Sequence, residues 1–212
     1  MNAREAILKR IREAAPSFAP TPSGTEPADG SAMSSEDRLN EFEKRFLAVG
    51  GTYHHVSEPD AIKPALAEIL ADKTGLKVAT DDSANSLVPN LAEYLQDLGM
   101  IAVPPLPEDA HDAAVGITAV EAALAYSGSL LVTSLHRGEL AASLLPPVHI
   151  ALTARSVLVD GVPDLLTHLD QLGWPRGAAL ITGPSRTADI ELTLVTGVHG
   201  PREVHVILLD YV

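Results

Sequence analysis

Between residues 35 and 103, short apolar runs alternate with helix-periodic stretches, and this alternation restricts the fold more than any other feature. Ser34 or Ser35 is placed to cap a helix running to about Val49, with Leu39, Phe42, Phe46 and Leu47 on its apolar side. Gly50-Gly51 stops it. The pattern then predicts a strand from Thr52 to Val56, a helix from Pro59 to about Asp72 and a strand from Leu76 to Thr80. A helix from Val88 to Leu98 and a strand from Met100 to Val103 follow. Strands separated by helix-length connections build a mostly parallel sheet with helices on its faces, an α/β fold.

Two segments divide the 212 residues. Residues 1–34 carry a short amphipathic helix with a basic face (Arg4, Lys9, Arg10, Arg12), then a stretch rich in Pro, Ser, Gly and Thr that reads as a flexible tether. The helix has a short apolar side without aromatics. That suits packing on the main domain or on a neighbouring subunit, as in a homo-oligomer, better than membrane insertion. Residues 35–212 form the main domain, and the 46% apolar content supports a large core. Acidic residues outnumber Lys and Arg by 28 to 15, a formal charge of −13 that argues against a nucleic-acid partner. No apolar run reaches transmembrane length and the N-terminus lacks a signal-peptide core, so a cytoplasmic protein is expected. The chain has no cysteine, so it holds no thiolate-ligated zinc or iron–sulfur cluster; no cofactor is expected in it. None of its eight histidines forms an H-x-x-x-H pair, and no metal site is expected.

Chemistry is sought in the second half. Thr118 is placed to cap a short helix through Ala125, with Glu121 as capping-box partner. Ser127-Gly128-Ser129 is a turn feeding a strand from Leu130 to Thr133. A strand from Val148 to Thr153 and a helix from about Pro163 to Leu172 come next. An apolar strand, Ala178 to Thr182, then enters the tight turn Gly183-Pro184-Ser185. A helix is expected from Arg186 to residue 196, and a final strand from Val204 to Leu209. A strand turning sharply into a helix leaves amide groups unpaired at the helix N-terminus. With Arg186 beside them, these make a candidate site for a carboxylate or phosphate. The plain alternative is that Ser185 is only a helix cap. Asp189 falls near Arg186 on such a helix and can orient it. His199 lies between glycines in a loop, where a ligand can approach closely. Glu121, Asp189 and Glu191 are the nearby carboxylates that an acid–base or nucleophilic mechanism could use, with His199 as a further candidate. His149 and His205 sit in apolar strands and read as core imidazoles. His54 and His55 point to opposite faces of theirs.

Four separated strings, GPSRTADIE (183–191), VTGVHGP (195–201), SLLPPVHIAL (143–152) and GIT…AYSGS (116–129), resemble in order the lactate-utilisation protein C family, also called the LUD domain. The N-terminal helix, the Pro-rich tether and FEKRFLAVGGTYH also resemble that family. The resemblance implies a three-layer α/β/α fold of the sugar-phosphate isomerase and CoA-transferase type. It also implies a place in a bacterial system oxidising L-lactate to pyruvate, with iron–sulfur clusters on sister subunits. The family's A-E-T-G-T turn stands here as Ala125-Tyr126-Ser127-Gly128-Ser129: the hydroxyls are kept and Tyr126 replaces the carboxylate.

The leading expectation is an accessory or substrate-handling subunit that holds a small carboxylate or phosphate. Gly183, Pro184, Ser185 and Arg186 would form its site, with Ser127, Gly128 and Ser129 supplying further donors and Thr118, Asp189 and His199 nearby. Two alternatives stand beside it: an independent acyl- or CoA-transferase or sugar-phosphate isomerase, and a scaffold whose basic N-terminal helix docks a partner.

Overall fold

The computed structural model describes residues 4–5, 9–10, 32–80, 82–134, 139–188, 194–196 and 200–212. The chain divides into two compact units, Met1–Ala32 and Met33–Val212. In the first, residues 4–5 and 9–10 are helical; the rest of the expected amphipathic helix and the expected tether up to residue 31 lie outside the described residues.

The second unit begins with helix α1 (Ser35–Ala48), where the Ser34 hydroxyl accepts the Asp37 amide and so caps the first turn. Strand β1 (Thr52–Val56), a 3₁₀ turn over Pro59–Ala61, helix α2 (Ile62–Leu70) and strand β2 (Lys77–Thr80) follow. The helix expected over Val88–Leu98 is instead two, α3 (Asp82–Leu87) and α4 (Leu91–Asp97). Pro89, which has no N–H to give a continuing helix, lies at the break. Next come β3 (Ile101–Val103), α5 (Pro107–His111), β4 (Val115–Ala119), β5 (Ala122–Leu124), β6 (Ser129–Thr133), α6 (Glu139–Leu144), β7 (Val148–Ala154) and β8 (Leu158–Val159). The chain continues through α7 (Val162–Leu172), β9 (Ala178–Ile181), β10 (Arg186–Ala188), β11 (Leu194–Thr196) and β12 (Glu203–Leu209).

Six strands, in the order β1-β12-β7-β4-β2-β3, form an all-parallel central sheet. The α/β architecture expected from the alternation is therefore present. One face, with Val56, Val78, Ile117, Ile150 and Ile207, packs against α2 and α4 through residues such as Leu66, Leu70, Leu91 and Leu95. The other face, with Ala151, Val204, Val206 and Leu208, meets α1 through Leu39, Phe42 and Phe46. The two Phe rings stack with centroids 5.7 Å apart and are fully buried, each contributing ~2–3 kcal/mol of apolar burial. Leu47, expected on that apolar side, is instead 49% exposed.

A second sheet, ordered β8-β5-β6-β9, adds to the three expected layers. Its inner residues Ala123, Leu130, Val132 and Ile181 join the α1 core, and α7 covers Ala122, Leu124 and Leu131 on its outer face with Leu165 and Leu169. No helix among the described residues is long and apolar enough to cross a membrane.

Two expected helices are strands. Residues 118–124 belong to β4, a short turn and β5, and Ala125 opens the next turn. Their small apolar side chains alternate between two cores, Ala123 and Ala125 in one and Ala122 and Leu124 in the other, so tertiary burial outweighs the helix preference of alanine. Residues 186–188 and 194–196 form the antiparallel pair β10–β11, with Arg186 opposite Thr196 and Ala188 opposite Leu194. The β-branched residues Thr187, Val195 and Thr196 suit that choice.

Candidate functional site

The C-terminal turn of α1 is the platform on which two loops meet. The β5–β6 turn docks through Gly128, at φ +65°. A Cβ there would lie 2.5 Å from the Phe46 amide nitrogen and 2.7 Å from the Arg45 carbonyl carbon, so only glycine lets the two backbones touch. The loop after β9 docks through Gly183, at φ +74°, where a Cβ would lie 2.7 Å from the Val49 carbonyl oxygen.

Strands β6 and β9 are antiparallel neighbours, with Leu130 opposite Ile181, so these two turns are brought side by side. Ser127 Oγ lies 2.8 Å from Ser129 Oγ, which lies 2.8 Å from Thr182 Oγ1. Ser129 is buried, at 2% exposure, while Ser127 and Thr182 face solvent. A row of three hydroxyls holds three protons and spends two on its internal bonds, leaving one O–H to donate outward. The bonds can run in either direction, so either exposed end can present that donor, polarised by the two behind it.

The turn at 183–186 differs from the expected amide cradle. Its backbone continues into a strand, so no helix N-terminus lies there. The Ser185 amide donates to the Pro201 carbonyl at 2.9 Å, and a Cβ on Gly200 would sit 3.2 Å from that of Ser185. Pro184 and the exposed Arg186 guanidinium lie against Gly50, just beyond the C-terminus of α1. That end of a helix carries partial negative charge, which the guanidinium complements.

The structure thus gathers Ser127, Gly128 and Ser129 with Gly183, Pro184, Ser185 and Arg186 around one helix end. Thr118 is elsewhere: it is fully buried, and its Oγ1 lies 2.9 Å from His149 Nε2. Glu121 is half-buried; its backbone carbonyl accepts from His168 Nε2 at 3.1 Å. Asp189, Glu191 and His199 lie outside the described residues. Thr182 was missed, because only the β6–β9 pairing brings it to Ser129; its position before a Gly-Pro turn was the available signal.

An ionic network was also missed. Arg155, just past β7, reaches Asp210 at 2.6 Å, Glu36 at 2.8 Å and Ser35 Oγ at 3.2 Å, while His55 Nε2 lies 2.9 Å from the other Asp210 oxygen. The Arg155 hydrogen bond holds the Asp210 carboxyl below its usual range, against the opposing effect of burial. The network fastens the first turn of α1 to the carboxyl ends of β7, β12 and β1, and nothing in the local sequence joins those positions.

The family model for the LUD domain matches residues 39–209. The chain is similar to a lactate utilization protein C of Exiguobacterium sp., with 39% identity over 100 residues, 45% of this chain and 44% of that one. A Shouchella clausii protein of the same description is 39% identical over 107 residues, 49% of this chain and 47% of that one. The chain spans about half the length of these curated relatives. A third lactate utilization protein C, from Deinococcus radiodurans, is 30% identical over 185 residues, 84% of this chain and 82% of its own. The crystal structure of a DUF162 family protein from the same organism shares the fold, with a TM-score of 0.60 at 22% identity over 84% of this chain and 99% of that one. The match runs from within α1 to the end of β12 and takes in both docking turns: the chain belongs to the LUD domain family.

Proposed function

We propose that this protein serves lactate utilisation as a substrate-handling subunit, binding a small carboxylate at the hydroxyl row Ser127–Ser129–Thr182 while sister subunits carry iron–sulfur clusters. The observation carrying this reading is the row itself: one buried hydroxyl bonded on both sides to hydroxyls that face solvent. A carboxylate is an acceptor-only group, and the row has one proton to give it. Arg186, held at the same helix end, is a cation whose planar donors match a carboxylate. The names of the curated relatives support the lactate context, and the absence of cysteine supports placing the electron-carrying clusters on other chains.

Calorimetric titration with L-lactate, pyruvate and inorganic phosphate tests this reading. The carboxylates are expected to bind, with affinity falling at least tenfold in the Ser127→Ala/Thr182→Val double variant and severalfold in Arg186→Ala. Equal heats for all three proteins would remove the row and the guanidinium from the site.

A further inference from the structure

The carboxyl ends of β1 and β12 open onto a separate cavity of about 450 Å³, on the side of the sheet covered by α2 and α4. This volume falls in the range of small-molecule pockets, and open α/β sheets hold ligands beyond the carboxyl ends of their strands. None of the ten lining residues is Asp, Glu, Lys, Arg or His, in a chain where a fifth of all residues are charged. A carboxylate or phosphate would find no cationic side chain among the lining residues.

Four of the ten lining residues carry rings: Pro59 before α2, Pro89 between α3 and α4, Tyr94 on α4 and Tyr211 after β12. Lys63 Nζ lies 5.8 Å from the centre of the Tyr94 ring and 2.6 Å from an Asp97 carboxylate oxygen, both contacts on the exposed surface beside the cavity. The two proline rings have no side-chain rotamers to lose when a ligand binds. Polar groups are few. The Asn90 side chain makes no capping bond to α4, and the Tyr211 phenol, its pKa raised by burial and nearby Tyr94, carries an O–H donor.

We infer that this cavity binds a small neutral ring compound, its apolar faces between the proline and tyrosine rings and one hydrogen-bond acceptor toward Asn90 or the Tyr211 phenol. This site is independent of the carboxylate reading. The test is a titration of the full-length ¹⁵N-labelled protein with quinoline, and with benzoate as the charged counterpart. Quinoline is expected to shift amides within 59–62, 86–94 and 211–212 saturably, and benzoate to leave them in place. Ser86→Trp, which fills the cavity from its rim, is expected to weaken quinoline at least tenfold, and Asn90→Ala threefold or more. Absence of saturable shifts there, equal shifts with benzoate, or binding unchanged in both variants would overturn the assignment.

Discussion

His149 has no solvent exposure on β7; Thr118 Oγ1 meets its Nε2, and its Nδ1 has no partner among the described residues. Burial first, and the neighbouring His205 second, push its pKa down to about 3 from an ordinary 6.5. The folded protein therefore holds this imidazole neutral, while an unfolded chain protonates it below pH 6.5. The stability linked to this group is fully present above pH 6.5 and is lost as pH falls toward 3. Urea midpoints measured at pH 7.5 and pH 5 should show it. The wild-type midpoint is expected to fall more than that of a Thr118→Val/His149→Leu variant, in which the titrating imidazole and its hydroxyl partner are replaced by apolar groups. Identical falls would contradict this account. A core imidazole was legible from its apolar surroundings in the sequence. Its partner was not, because Thr118 also has the residue type and spacing of a helix cap, and only the pairing of β4 with β7 decides between the two.

At the scale of elements, α1 was readable almost to the residue, since cap, periodicity and Gly50-Gly51 stop are all local signals. Its use as a docking platform was not local and had to come from the structure. That docking predicts that Gly128→Ala costs at least ~2 kcal/mol, because the new Cβ meets both a left-handed backbone and the main chain of α1. Chemical denaturation checks this, and a loss of about 0.5 kcal/mol or less, the size of an ordinary surface change, would show that the turn does not rest on the helix. Residues 186–188 and 194–196 are strands where a helix is expected, because the apolar residues of that stretch satisfy a helical period as well as a strand's. An amide cradle for an anion needs a helix N-terminus at Arg186. With β10 there instead, the donors available are side chains, the hydroxyls of Ser127, Ser129 and Thr182.

At the scale of the molecule, the parallel sheet was legible because strands and helices of ordinary length alternate through the first half of the domain. The second sheet was not, since its strands are two to five residues long and β6 pairs with β9 from more than forty residues away. That pairing also assembles the proposed site, which explains why the strings were visible in the sequence while their meeting point was not. The central claim is that this meeting point holds a small carboxylate. Backbone amide shifts of the full-length protein on addition of L-lactate test it most directly. The account predicts saturable shifts concentrated at residues 126–129 and 181–185, absent from the Ser127→Ala/Thr182→Val variant. Shifts concentrated elsewhere, or none at saturating lactate, would contradict it.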